Sequence, residues 1–271
     1  MAKQLGWIAV LVALVGLAAA APPKPPPPEE PGTAKPPKLK GPNLVPNGDF
    51  EGGDATPDHW QTVDGLSSFW VKTDDPAHGK VIKIDTDILQ SQGYDWWVKI
   101  AKGASPKDAP KKEPSKDPNK YDTLAGLDGV WFWSDFIPIE KGKAYWLTVD
   151  ARGPGGGMLG WLVGYPEKAS TAFGADAGAF QEYLEGKTTG KLPDRSRGFE
   201  PFIKKYKYRG QLSSLAQSSP DAWKTFSRRE LVFRPTEKTP DVRFVRVLLY
   251  AYWPPGEYYF DNVSLHEVDD G

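Results

Sequence analysis

Two short motifs near the two ends of the chain do most to limit its fold. Asn43-Leu-Val-Pro-Asn-Gly-Asp-Phe-Glu51 opens it and Tyr258-Tyr-Phe-Asp-Asn-Val-Ser-Leu265 closes it, so everything between them reads as one domain. Each motif reads as a strand. In the closing one, Tyr259, Asp261 and Val263 alternate with Phe260, Asn262 and Ser264, and the turn residues Pro254, Pro255 and Gly256 come just before it. Each also contains an acid. If the first and last strands are neighbours, Glu51 and Asp261 meet, and two carboxylates with backbone carbonyls nearby suit a hard cation such as calcium.

Between the motifs, the strand candidates are 69–73, 81–85, 130–138, 144–152, 159–165, 225–233 and 242–252, separated by Gly, Pro and Asp turns. Many short strands with such punctuation predict an all-β sandwich of two antiparallel sheets. Two long insertions interrupt it. The first, about 86–128, contains the charged, proline-broken tract Ala104 to Pro118 and is expected to be a mobile loop. Its Trp96 and Trp97 face opposite ways if extended, one to the core and one to a loop tip. The second, about 166–221, is expected to hold a short helix near Gly178 to Leu184 and an extended piece from Phe199 to Tyr208. Insertions of this length are functional or disordered.

The opening N-G-D-F-E and closing Y-F-D-N-V-S-L motifs resemble the jelly-roll carbohydrate-binding modules of the cellulose- and xylan-binding type, within the galactose-binding-like superfamily. Three internal blocks, Gly79 to Ile84, Phe136 to Arg152 and Ala222 to Phe233, are similar to successive strand blocks of that family in the same order. The resemblance spans about 43–268 outside the insertions. It implies a jelly roll, and glycan binding in a cleft across a sheet or at loop tips. It also implies structural calcium held by the backbone carbonyl of Asp49 and the side chains of Glu51 and Asp261. A fold of this kind hosts many binding jobs, so the ligand has to be argued from the site.

The start of the chain has the pattern of a secretory signal peptide over 1–20: Lys3, the apolar stretch Gly6 to Leu17, and Ala18 to Ala20 as a small-residue cleavage site. That stretch is too short to prefer spanning a membrane. Residues 21–42 are a Pro/Lys-rich linker that favours polyproline II and builds no core, a disordered leader to the domain at 43–271. The chain has no cysteine, which excludes a lipid anchor at cysteine, a disulfide framework and thiol catalysis. A secreted, periplasmic or cell-surface location follows. Thirty-four basic against thirty-five acidic residues argue against nucleic acid as a partner.

Period-two alternation sorts the strands into faces. In 144–152, Tyr145, Leu147, Val149 and Ala151 form a core set and Trp146, Thr148, Asp150 and Arg152 the opposite one. In 242–252, Val245, Val247, Leu249 and Ala251 point inward with Arg243 at the rim, and Phe244, Arg246, Leu248, Tyr250 and Tyr252 outward. One outer face is expected to collect Trp146, Asp150, Arg152, Arg246, Tyr250 and Tyr252, joined by Trp131, Trp133 and Asp135. Sugars present apolar C–H faces ringed by hydroxyls, so stacking aromatics beside planar polar groups suit them. This predicts a non-catalytic polysaccharide-binding domain. The alternative is a cell-envelope structural or protein-interaction domain, in which the same aromatics are buried under the second insertion and Asp150 and Arg152 form a covered ion pair.

An enzyme is the weaker reading. The three histidines, His59, His78 and His266, have no metal-protease spacing, and no Gly-x-Ser-x-Gly occurs. Glycoside hydrolysis needs two carboxylates across a cleft and acids are plentiful, but no jelly-roll glucanase pattern is present.

Overall fold

The computed structural model describes residues 37–113, 115–117, 121–126, 129–168, 206–212, 218–227 and 232–269. Along the chain run β1 (Leu39–Lys40), β2 (Ser68–Lys72), β3 (Lys80–Asp85), α1 (Gln90–Ala101), β4 (Val130–Trp133), β5 (Ile137–Pro138) and β6 (Ala144–Arg152). Then follow β7 (Met158–Tyr165), β8 (Tyr208–Gln211), β9 (Lys224–Ser227), β10 (Phe244–Ala251) and β11 (Glu257–Val268). One six-stranded sheet has the order β2-β3-β11-β6-β9 with β1 also on β11, and one five-stranded sheet has the order β4-β10-β7-β8 with β5 also on β10. Every pairing is antiparallel. From β5 onward the chain repeatedly crosses between sheets, with β6, β9 and β11 in one and β7, β8 and β10 in the other, the winding of a jelly-roll sandwich.

The core lies between the sheets. Leu147, Val149 and Ala151 of β6 and Ile82 and Ile84 of β3 are fully buried, as are Val245, Val247, Leu249 and Ala251 of β10. The alternation of β6 and β10 therefore gives both inner faces correctly.

β11 departs from simple alternation. Its register with β6 shifts between Asp261 and Ser264, and Asn262 has a left-handed φ of 47°. One extra residue in a strand reverses which side chains point inward. Tyr258 and Phe260 enter the core before this bulge and Val263 and Leu265 after it, all fully buried.

The opening motif lies beside the closing strand, the arrangement on which the expected meeting of Glu51 and Asp261 depends, but it is not a strand. Asn47 (φ 50°) and Phe50 (φ 55°) break the extended path, and Phe50 is fully buried. Separate bonds tie the segment to β11: Leu44 N–H to Leu265 O (2.8 Å), Val263 N–H to Gly48 O (2.7 Å), and Leu265 N–H to the Asn43 side-chain oxygen (2.9 Å). Gly48 has to be glycine because a Cβ there would lie 2.0 Å from the Val263 carbonyl oxygen. Leu39 and Lys40, read from sequence as linker, pair with Val268 and Glu267.

The first insertion is not a bare loop. It carries α1, with Trp96 and Trp97 both buried, so neither tryptophan is a loop tip. In a helix, neighbouring residues are about 100° apart and both can lie on a wide buried face, which the extended reading does not allow. The charged tract after α1 contains a 3₁₀ turn at Pro106–Asp108, capped by the Ser105 hydroxyl. In the second insertion, the expected helix near 178–184 and most of the extended piece at 199–208 lie outside the described residues. Among the described residues, no helix is long and apolar enough to cross a membrane.

Candidate functional site

On β10, Tyr250 points away from the core, and the register sets it between Leu159 of β7 and Trp131 of β4. Its ring lies nearly parallel to that of Trp161, with centroids 5.6 Å apart, and the Tyr252 ring follows at 5.5 Å. The next residue, Trp253, packs against Tyr121 at 5.0 Å. Arg209 of β8 sits over Trp161 at 4.1 Å. The outer side of the five-stranded sheet thus carries a run of stacked rings, Trp161, Tyr250 and Tyr252, and the Trp253–Tyr121 pair follows at the end of β10.

That end is unusually open. Tyr121 is 64% exposed, Tyr252 37% and Trp253 36%, and together with Leu39 they are the exposed large hydrophobic residues among those described. Large aromatics that could bury their area but stay in water in one cluster mark a binding surface. Their positions are fixed by backbone. Tyr252 N–H donates to Gly157 O (2.9 Å), Gly157 N–H donates to Trp253 O (2.5 Å), and a Cβ on Gly157 would lie 2.4 Å from Trp253 O. Polar atoms line the same run: the indole N–H of Trp161 is buried without a partner.

Gly129 supports Tyr250 from below. It has φ +70°, and a Cβ would fall 2.5 Å from the Tyr250 ring. Gly129→Ala is therefore expected to cost about 1–2 kcal/mol through the left-handed backbone and to tilt Tyr250 out of the run. Thermal unfolding and the near-ultraviolet circular dichroism of the aromatics check this; an unchanged spectrum with full stability would contradict it.

The six residues expected on one face are split between two. β6 belongs to the six-stranded sheet and β10 to the five-stranded sheet, and each puts its apolar set into the shared core. Trp146, Asp150 and Arg152 therefore face outward on one side of the sandwich, and Arg246, Tyr250 and Tyr252 on the other. Alternation shows which residues share a face of one strand; it does not show which strands share a sheet. Only Tyr250 and Tyr252 of the six belong to the aromatic run. Arg246 is 8% exposed, its Nε–H donates to Ser134 O (2.6 Å), and its guanidinium lies 5.0 Å from the rings of both Trp133 and Phe136. Burial lowers its pKa to about 10, so it remains a cation at neutral pH. It props the sheet from a buried position, as do Trp131 and Trp133, which are 8% and 4% exposed. Asp135 pairs with His59 at 3.5 Å. Sequence reasoning missed Trp161, Arg209, Tyr121 and Trp253. Trp161 lies on the strand expected at 159–165, but nothing local pairs it with Tyr250.

On the other side, the Asp150–Arg152 ion pair of the alternative reading is not formed. Asp150 instead accepts from Thr225 Oγ1 (2.5 Å) and Asn262 Nδ2 (2.9 Å). Trp146 is half-buried, with its indole N–H unpartnered.

Of the residues expected to hold calcium, Glu51 and Asp261 both contact the segment 78–80. Glu51 Oε1 accepts the Lys80 N–H (2.6 Å), and Asp261 Oδ2 lies 2.8 Å from His78 Nδ1. Asp261 is 1% exposed, and burial raises its pKa to about 6 despite the hydrogen bond from His78. Its Oδ1 is buried with no hydrogen-bond partner. Among the described residues no group of three His, Asp or Glu side chains is placed to hold a metal. A hard cation here would need backbone carbonyls, such as that of Asp49, to complete its shell.

No family model and no curated protein matches the chain. Among solved structures, it is similar to the enzymatically active domain of bacteriophage CBA120 tailspike protein 4, at 9% identity and a TM-score of 0.42, over 83% of this chain and 21% of that one. It is also similar to a tandem of CBM22 domains from Paenibacillus barcinonensis, at 11% identity and 0.39, over 81% of this chain and 49% of that one. A family 11 carbohydrate-binding module of a cellulosomal cellulase from Clostridium thermocellum is similar at 11% identity and 0.34, over 85% and 96%. The chain thus spans about a fifth of the tailspike chain and half of the tandem one. At such identities and scores these likenesses assign no ligand to this chain.

Proposed function

We propose that this domain is a secreted, non-catalytic binder of polysaccharide, and that the chain lies along the outer side of the five-stranded sheet over Trp161, Tyr250, Tyr252, Trp253 and Tyr121. The observation that carries this reading is the group of exposed aromatics at the end of β10, Tyr252 and, directly after it, Trp253 packed against Tyr121. Sugar rings have apolar C–H faces that aromatic surfaces cover, and hydroxyls that the tyrosine O–H groups, the unpartnered Trp161 N–H and the Arg209 guanidinium can bond. An extended run of rings suits several sugar units of a polymer better than one small molecule. Partners of this kind are cell-wall or other extracellular polysaccharides.

Affinity electrophoresis tests it, with the protein run through gels containing neutral plant, algal and bacterial polysaccharides. Retardation by at least one of them is expected. No retardation across a broad panel would instead favour a protein of the cell envelope as the partner of the exposed aromatics.

The proposal includes a structural role for calcium, held by Asp261 Oδ1, Glu51 and the Asp49 carbonyl. An ion bound only by the folded state stabilises it by mass action, about 2.7 kcal/mol at a hundredfold excess over the dissociation constant. Chelation is therefore expected to lower the thermal midpoint by several degrees, and Asp261→Asn to remove that sensitivity. If the demetallated protein melts where the untreated protein does, Asp261 and Glu51 are ordinary polar residues.

A further inference from the structure

On the outer side of the six-stranded sheet, away from the aromatic run, stands a cation with which no acid among the described residues pairs. Arg152 of β6 holds its guanidinium 4.4 Å from the Tyr259 ring and 5.3 Å from the Trp223 ring. No carboxylate among the described residues pairs with it, and its Nε–H is buried without a hydrogen bond. The Trp223 indole N–H beside it is likewise buried and unpartnered, while the Trp223 ring is held in place by stacking on His78 at 4.0 Å.

The neighbouring acids are already engaged. Asp150, two residues earlier on the same face, accepts from Thr225 and Asn262. Glu257 accepts from Lys83 Nζ (3.0 Å) and Tyr259 O–H (2.6 Å). A guanidinium clamped between two rings keeps its orientation, and its planar fork matches the two oxygens of a carboxylate or sulfate. A half-buried cation whose buried donors find no acceptor among the described residues is best explained by an acceptor from outside the domain.

We infer that Arg152 and Trp223 form a second ligand site, for the anionic group of an acidic polysaccharide. The site lies on the opposite side of the sandwich from the aromatic run and does not depend on it. A sugar acid or sulfated sugar docks its anion on Arg152, with the Trp223 N–H as an added donor. The two sites together would let one domain bind two chains, or two kinds of chain.

The test runs the full chain through gels containing polygalacturonate, a sulfated galactan, or a neutral xylan, at low and high salt. Arg152→Met, Arg152→Lys, Trp223→Phe and Trp253→Ala are run alongside. Expected is retardation by at least one acidic polymer that weakens with salt, falls at least tenfold in Arg152→Met, and is kept by Trp253→Ala. Retardation by polygalacturonate alone identifies the anion as a carboxylate, and by the galactan alone as a sulfate. Trp223→Phe keeps the stack but removes one donor, and is expected to weaken binding severalfold. It serves as the test if Arg152→Met fails to fold, as judged by thermal unfolding. If no acidic polymer retards the protein, or if both Arg152→Met and Trp223→Phe bind as the parent does, the site is refuted. Binding of the neutral xylan speaks only to the aromatic run, so failure of one reading is separable from failure of the other.

Discussion

Asp64→Ala is expected to destabilise the domain by about 3–5 kcal/mol, because one buried carboxylate here satisfies most of a junction. Asp64 is 4% exposed. Its Oδ1 accepts the backbone N–H groups of Leu66 (2.7 Å), Ser67 (2.6 Å) and Ser68 (2.9 Å). Its Oδ2 accepts the Ser67 hydroxyl and the Trp97 indole N–H (2.9 Å), and its backbone carbonyl accepts the Trp96 indole N–H (2.7 Å). The residue thus joins the start of β2 to α1. Alanine strands the donors that faced the carboxylate in a place water does not reach.

The loss also reaches the proposed binding surface. Gln90 N–H donates to Asp122 O (2.9 Å) and Leu124 N–H to Ile88 O (2.8 Å), so α1 and the residues before it hold the segment that carries Tyr121. Urea denaturation measures the effect. A loss under about 1 kcal/mol would mean that water or a shifted backbone takes the carboxylate's place. Asp64→Asn is expected to fall between the two, since it keeps one acceptor but turns an amide toward the Ser67 and Trp97 donors.

The second large effect concerns binding. Trp253→Ala, and separately Tyr252→Ala, are expected to weaken retardation by a neutral polysaccharide tenfold or more, since a well-placed aromatic anchor contributes about 1.4 kcal/mol or above. Both residues are among the most exposed aromatics of the domain, so their removal should leave the thermal midpoint nearly unchanged. That separates loss of ligand contact from loss of fold. Tyr250→Ala should weaken binding too, but with some cost in stability, because Tyr250 packs against Trp161 and Gly129. Trp146→Ala is the control: it lies on the six-stranded sheet, and retardation should survive it. If Trp146→Ala abolishes binding and Trp253→Ala does not, the surface has been placed on the wrong sheet.

Several features were fixed by local patterns in the sequence. β6, Ala144–Arg152, could be bounded from its alternation alone, because Leu147, Val149 and Ala151 have no alternative to burial. The same holds for the inward set of β10. Where sequence reasoning failed, the deciding interaction was distant. Trp96-Trp97 reads equally as extended or helical, and the bonds from both indoles to Asp64, more than thirty residues earlier, accompany the helix. Asn47 and Phe50 sit in left-handed conformations that no propensity favours for phenylalanine, and they persist because Phe50 is packed in the core.

The candidate site divides in the same way. Period-two alternation is a property of one strand, so the sequence alone could show that Asp150 and Arg152 share a face, and that Tyr250 does so with Arg246. Whether two strands lie in one sheet depends on which backbone groups pair across the domain, and here β6 pairs with β11 and β9 whereas β10 pairs with β4 and β7. By itself, then, the sequence determined an all-β domain closed by its two end motifs, and a supply of aromatic and charged side chains on outward positions. The tertiary structure alone decided that they form two surfaces, because backbone hydrogen bonding between residues far apart in the chain sets the strand order, and no local pattern encodes it.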